Sequence, residues 1–200
     1  MPQPKRILAL AGSARRDSLH KKLGRRAAEI ARIHGNEVQW LDLADYDLPI
    51  YQGDLESEHG QPVNALKLRT LVRSHDALII ASPEYNGFFS PLLKNTLDWL
   101  SRPLPGEERH ATFKDKPVLL LSTARGDSGG VRGLQSLRQL LINLKAAPYY
   151  RSYALPNGLA AFENREGLGG DHAERLAQLV HAFVFELQHP TLEHPLYANV

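Results

Sequence analysis

Apolar residues follow two rhythms along this chain. In three places they run almost unbroken: "RILALAG" at 6–12, "DALIIASP" at 76–83 and "KPVLLLSTA" at 116–124. Short continuous runs of this kind predict strands covered on both faces. "EVQWLDL" at 37–43 alternates, as a strand with one partly exposed face does, and "YYRSYAL" at 149–155 suits a last, edge-like strand. Between the strands the spacing becomes helical. Over 19–34, Leu19, Leu23, Ala27, Ile30 and Ala31 share one face, and from Val131 so do Leu134, Leu137, Leu140, Leu141 and Leu144. Pro62 opens a helix to about Ser74, a favoured place for proline. Ser90-Pro91 reads as N-cap and first helical residue of a helix to about Arg102. Asp171-His172-Ala173-Glu174 reads as a capping box for a final helix to about Gln188. The stretches 44–61 and 103–115 read as polar loops, and 190–200, with two prolines, as an extended tail.

Strands alternating with helices predict a parallel sheet with helices on both faces, joined by right-handed crossovers. No repeat or linker divides the chain, so residues 1–200 are expected to form one α/β domain.

Composition narrows the function classes. There are 24 basic against 22 acidic residues, which gives no electrostatic case for a nucleic-acid partner. With no cysteine there is no disulfide framework, thiolate metal site or Cys nucleophile. No run approaches the ~18 apolar residues of a membrane span, and residues 1–12 hold no signal-peptide core. The expectation is a soluble cytoplasmic protein with no membrane partner. The nine histidines show no metal spacing, so no metal is expected; His34, His59, His75, His110, His189 and His194 read as solvated.

In an open parallel sheet, ligands bind beyond the carboxyl ends of the strands, where strand order reverses. Three polar loops follow the three most buried strands: 12–18, 83–89 and 122–130. The first, "GSARRDS", offers the hydroxyls of Ser13 and Ser18, the guanidinium groups of Arg15 and Arg16, and the free amides opening the next helix. That set suits a phosphate monoester dianion, although the same residues also suit a solvated turn whose serine caps the helix. Neither Gly-x-x-x-x-Gly-Lys-[Ser/Thr] nor Gly-x-Gly-x-x-Gly is present, which argues against a nucleoside triphosphate or a dinucleotide pyrophosphate at this loop. In the second loop, Tyr85 and Phe88 supply flat apolar surface, while Glu84, Asn86 and Gly87 supply main-chain polar groups in a tight turn. A planar heterocycle uses both; plain packing of the aromatic pair is the alternative. The third, "STARGDSGG", carries three glycines that let backbone approach a ligand. Its "GDSGG" matches a serine-protease nucleophile segment out of context, on a strand–helix junction, and its "RGD" is fortuitous.

Taken together, Gly12-Ser13-Ala14-Arg15-Arg16-Asp17-Ser18, Pro83-Glu84-Tyr85-Asn86-Gly87, Leu93-Lys94-Asn95 with Asp98-Trp99-Leu100-Ser101-Arg102, "LPIY" at 48–51 and the segment 116–130 resemble the NAD(P)H-dependent FMN reductase family. The resemblance covers roughly residues 5–147 and departs at His20, where the family usually has asparagine. It implies a flavodoxin-like three-layer sandwich with a five-stranded parallel sheet of order 2-1-3-4-5. It implies FMN as cofactor, with Ser13, Arg15 and Ser18 on the phosphate and Leu19 and His20 beside them. Pro83, Glu84, Tyr85, Asn86 and Gly87 would flank the isoalloxazine ring, and Ser122, Thr123, Ala124 and Gly126 its pyrimidine edge. NADPH or NADH would be co-substrate and a quinone, chromate, azo dye or free flavin the acceptor, in ping-pong turnover. The protein orients and tunes the flavin, and no side chain stands out as a catalytic acid or base. Glu84 is expected to act through its main chain, its carboxylate facing solvent or a neighbouring subunit. A homodimer or homotetramer is implied. Leu92 and Trp99, seven apart, share a side of the 91–102 helix away from the sheet-facing leucines; the resemblance favours a partner there, near Lys94, Asp98 and Arg102, and the alternative is that Trp99 covers a loop of its own subunit. Two other readings share the fold: a flavodoxin-like electron carrier, whose usual strong acidity is absent here, and a flavin-free phosphate-binding or regulatory protein.

Overall fold

The computed structural model describes residues 3–163 and 167–189. Five strands form one parallel sheet: β1 (Arg6–Ala11), β2 (Glu37–Asp42), β3 (Ala77–Ala81), β6 (Pro117–Thr123) and β7 (Ala147–Leu155), in the order β2-β1-β3-β6-β7. Counted by the sheet's own strands this is 2-1-3-4-5, as the resemblance implies. The fully buried strands β3 and β6 lie inside the sheet, while the alternating β2 forms one edge and β7 the other. A sheet this covered has little use for polar residues except at its ends.

Two apolar layers clothe it. On one face α1 (Leu19–Ile33) and α7 (Gly170–Gln188) pack Leu23, Ala27, Ala31, Leu176, Val180 and Phe183 against Ile7, Ala9, Ile79 and Leu119. On the other, α3 (Val63–Ser74), α4 (Pro91–Ser101) and α5 (Val131–Asn143) bring Leu68, Val72, Leu93, Leu97, Leu134 and Leu137 onto Leu8, Leu78, Ile80 and Leu120. Among the described residues, no helix is long and apolar enough to cross a membrane.

Several local expectations give way. The 44–61 stretch is no plain loop: it holds a 3-10 turn (Leu43–Asp45) and a short helix α2 (Gly53–His59). Pro62 stands at the N-cap of α3 and not inside it, with ψ 143°. Strand β7 begins at Ala147, two residues before the apolar run suggests. A four-residue helix α6 (Gly158–Ala161) follows it. Helix α7 starts at Gly170 with Gly169 as N-cap and no capping side chain, so Asp171 sits within its first turn and no capping box forms. His75 is buried, its Nδ1 2.7 Å from the Leu71 carbonyl, where a solvated ring was expected. The tail 190–200 and His194 lie outside the described residues.

Candidate functional site

The carboxyl ends of β1, β3 and β6 lie side by side, so the three loops meet at one edge of the sheet. Short bonds join them. The Gly12 amide donates to the Ala81 carbonyl at 2.9 Å, and Ser82 N to the Leu121 carbonyl at 2.8 Å. Ser90 Oγ donates to the Gly12 carbonyl at 2.6 Å while accepting from Leu93 N, so the α4 N-cap also fastens the first loop.

In that first loop Ser13 and Ser18 are buried and Arg15 and Arg16 exposed. Ser18 caps α1, its Oγ accepting from Lys21 N at 3.4 Å. Helix geometry leaves the Leu19 and His20 amides without an acceptor in their own helix, the arrangement that receives an anion. The two arginines part company. Arg16 lines a cleft of about 520 Å³ on the α1–β2 side, with Lys21, Lys22, Arg25, Asp42 and Asp45. Arg15 is not among its walls. Lys21 is already spent there on Asp42, at 2.6 Å.

His20 ties the first loop to the third. Its Nε2 lies 2.8 Å from the Thr123 carbonyl, an atom that only accepts, so Nε2 carries the proton and Nδ1 does not. Burial pushes its pKa down to about 4; the bond to Thr123 works upward and the charge of Arg15 downward. The ring is therefore neutral at pH 7.

The second loop folds into a two-residue hairpin, β4 (Glu84–Tyr85) paired antiparallel with β5 (Phe88–Phe89). Its turn residues Asn86 and Gly87 have φ of 52° and 81°. Left-handed backbone at both positions makes a type I′ turn, which asparagine-glycine favours most. Alternation along β4 sends Tyr85 outward, 48% exposed, with Phe88 beside it at 49%. Pro83 beneath them is buried. Glu84 departs from expectation. Its side chain is only 9% exposed and faces α5, not solvent: Oε2 accepts from Gly133 N at 3.0 Å and Oε1 from Arg132 Nη2 at 3.0 Å.

In the third loop Ser122 and Thr123 are buried, Ala124 half-buried and Gly126 exposed. Thr123 Oγ1 donates to the Leu155 carbonyl at 2.9 Å, whereas the buried Ser122 Oγ has no hydrogen-bond partner. No atom comes within 4 Å of the Cβ position at Gly87 or at Gly126, so space is open beside both loops.

These features fit FMN. Two buried hydroxyls, an exposed arginine and a free helix N-terminus suit its phosphate. Open backbone at Gly87 and Gly126 beside an exposed aromatic pair suits a flat ring, and an unpartnered buried hydroxyl is present at the end of β6. All fourteen predicted residues lie on the three loops or the helix turn between them, at one edge. Sequence reasoning missed the Glu84 carboxylate, Arg132 and Gly133. A glycine inside the otherwise helical pattern of 131–144 was the available signal of a close approach.

Of the two places expected for Trp99, the structure shows the one inside its own subunit. The residue is 0% exposed within its own chain. Its Nε1 donates to the Pro49 carbonyl at 2.7 Å, and its ring meets Tyr51 edge-on at 5.0 Å. It covers the 48–51 segment and offers no face to a partner.

Comparison with known proteins agrees with this geometry. The family described as NADPH-dependent FMN reductase matches residues 5–160. An NADPH:quinone oxidoreductase of Arabidopsis thaliana is 36% identical over 137 residues, covering 68% of this chain and 65% of that protein, so the match spans just under two thirds of the relative's length. A quinone reductase of Escherichia coli K12 is 35% identical over 73% of this chain and 74% of its own. Among solved structures, a flavoenzyme NAD(P)H:(acceptor) oxidoreductase from Paracoccus denitrificans superposes with TM-score 0.78 at 25% identity, covering 92% of this chain and 98% of that one. With the sheet order, the loop cluster and the match over 5–160 in agreement, the chain belongs to the NADPH-dependent FMN reductase family.

Proposed function

We propose that this protein is an FMN-dependent NAD(P)H oxidoreductase that passes two electrons to a quinone or a similar small acceptor. The observation that carries this reading is the meeting of three loops at one sheet edge, one built for a phosphate and two leaving open backbone beside exposed aromatic rings. The relatives named for quinone reduction support the acceptor class.

Each residue then has a task. Ser13, Ser18, Arg15 and the amides of Leu19 and His20 hold the phosphate; the arginine's charge-assisted hydrogen bonds are worth about 1.5–3 kcal/mol each. His20 keeps the third loop against the first through Thr123. Pro83, Glu84, Tyr85, Asn86 and Gly87 wall one side of the ring, and Ser122, Thr123, Ala124 and Gly126 border its pyrimidine edge. Bound FMN supplies two-electron transfer between NAD(P)H and the acceptor. The exposed side left between the loops admits donor and acceptor in turn, which is ping-pong order. The protein works where NAD(P)H is available, in the cytoplasm, as a homodimer or homotetramer.

The test begins with the flavin released by acid from the purified protein. Chromatography should show FMN, with NADPH oxidised rapidly once a quinone is added. Recovery of mainly FAD, or no flavin after reconstitution, sinks the reading. Flavin without NAD(P)H turnover would make the protein an electron carrier instead.

A further inference from the structure

A two-residue antiparallel pair does not hold its own geometry in water. The β4–β5 hairpin, which carries the exposed Tyr85 and Phe88, therefore needs external anchors. Phe89 is one, buried on the apolar layer beneath. Glu84 is the other, and its partners lie 48 and 49 residues away on α5.

Helix α5 is short of an acceptor at its start. Its N-cap is Gly130, with φ 86° and no capping side chain. First-turn amides left without a partner are costly, and a carboxylate there also meets the positive end of the helix dipole. Glu84 fills the vacancy from another part of the chain, accepting the Gly133 amide at 3.0 Å. Arg132 neutralises it from outside, at 3.2 Å through Nε and 3.0 Å through Nη2. The arginine side chain is 69% exposed and the glutamate 9%, so the acid is the inner, fixed member of the pair. Gly133 permits the close approach. A Cβ at that position would stand 3.2 Å from Glu84 Cβ and 3.3 Å from Glu84 Cα.

Neighbouring residues on a strand point to opposite faces. Wherever the Glu84 carboxylate is pinned, Tyr85 is turned the other way, toward the open side. The helix that pins it also begins at the end of the 122–130 segment. One carboxylate thus links the two loops that face each other across the proposed ring slot.

We propose that Glu84 is a positioning residue: by capping α5 from the hairpin, its carboxylate sets the width of the slot between the 83–89 and 122–130 loops. This rests on the flavin reading above. It assigns Glu84 no proton transfer and no contact with substrate. The phosphate loop has its own fastening through Ser90, whose Oγ donates to the Gly12 carbonyl.

That separation gives the test. Binding of FMN and of riboflavin, which lacks the phosphate, is measured by flavin fluorescence quenching on the full chain, with the visible spectrum of bound FMN alongside. Glu84→Ala should weaken both ligands by the same factor, about tenfold for the loss of a charge-assisted contact, and move the bound spectrum toward that of free FMN. Glu84→Gln keeps a carbonyl acceptor for the Gly133 amide and should restore affinity to within about threefold of the parent. Arg132→Ala keeps the Gly133 cap but removes the exposed partner of the pair, and should cost both flavins less affinity than Glu84→Ala does. Should Glu84→Ala fail to fold, Gly133→Ala replaces it: the added Cβ pushes the same wall outward and should weaken both flavins alike. Lower melting temperature with unchanged flavin affinity and spectrum would reduce Glu84 to a helix cap and overturn the proposal. So would weakening confined to FMN. A parent protein that binds neither flavin overturns the functional reading itself, a result distinct from both.

Discussion

His20 sits where the first turn of α1 meets the end of β6, and its chemistry there is fixed by one bond and by burial. The ring gives its Nε2 proton to the Thr123 carbonyl and is held neutral, with a pKa lowered from 6.5 to about 4, first by burial and then by Arg15 against the upward pull of the Thr123 bond. An unfolded chain takes up this proton near pH 6.5, whereas the folded one resists until about pH 4. Stability from this group is therefore complete above pH 6.5 and drains away as pH falls from 6.5 to 4. The loss is on the order of 3 kcal/mol. Urea midpoints of the parent and of His20→Asn, measured across pH 4–8 without added flavin or phosphate, should differ in slope within that window only. Parallel curves would show that His20 titrates normally. The position of this histidine was legible in the sequence as a departure from the family pattern. Its partner was not, because Thr123 lies 103 residues further on and is met through a backbone carbonyl that no residue type announces.

At the scale of elements, the hairpin shows what local sequence can and cannot reveal. Asn86-Gly87 announces a tight turn, and both residues take the left-handed backbone that a type I′ turn demands. Gly87→Val places a β-branched side chain at φ 81°, where nothing crowds it but its own backbone does. The cost should be about 1–2 kcal/mol by urea unfolding. Because the strain falls on the hairpin that bears Tyr85, riboflavin affinity should fall too; a variant with full stability and affinity would mean that the hairpin tolerates another turn. Elements with an apolar face were read correctly in type and near-correctly in extent, since burial and period coincide. Helix α2 was missed because none of its residues is buried, so it has no period to read. It is held from outside, by Glu56 accepting from Arg102 Nε at 2.8 Å and from Tyr51 Oη at 3.1 Å. Its charge order, Asp54 and Glu56 early and His59 late, matches the helix dipole and was the one local hint. The displaced capping box of α7 is the opposite case: a valid local signal overruled when the helix extends two residues further toward its N-terminus.

For the whole molecule, the interior position of Trp99 changes where the proposed oligomer would form its contact. Leu93, Leu97, Leu100 and Trp99 of α4 are consumed by their own subunit, and Leu92 is half-buried against the same layer. In return they build an outward-facing surface. Trp99 Nε1 and Asn95 Nδ2 both donate to the Pro49 carbonyl, and Asn95 Oδ1 accepts from Tyr51 N at 2.8 Å. Pinned on both sides, Ile50 has no route inward and stands 86% exposed. Asn64 Nδ2 bonds to the Asp47 carbonyl at 3.0 Å, which brings the start of α3 to the same segment. There Val63 and Leu66, one helical turn apart, are exposed as well. A rigidly presented aliphatic group of this kind marks an association surface better than scattered single residues do. Light scattering should give the parent a mass that is a multiple of 22.3 kDa. Ile50→Glu should lower it toward one chain while circular dichroism and melting stay close to the parent, since the side chain buries nothing at home. Trp99→Ala should do the reverse, costing about 3–5 kcal/mol of stability for an emptied aromatic site with the mass unchanged wherever the protein remains folded. A parent that runs as a single chain, or an Ile50→Glu variant that keeps the parent's mass, would place the contact elsewhere. The two variants together separate what Trp99 does inside the subunit from what Ile50 does outside it.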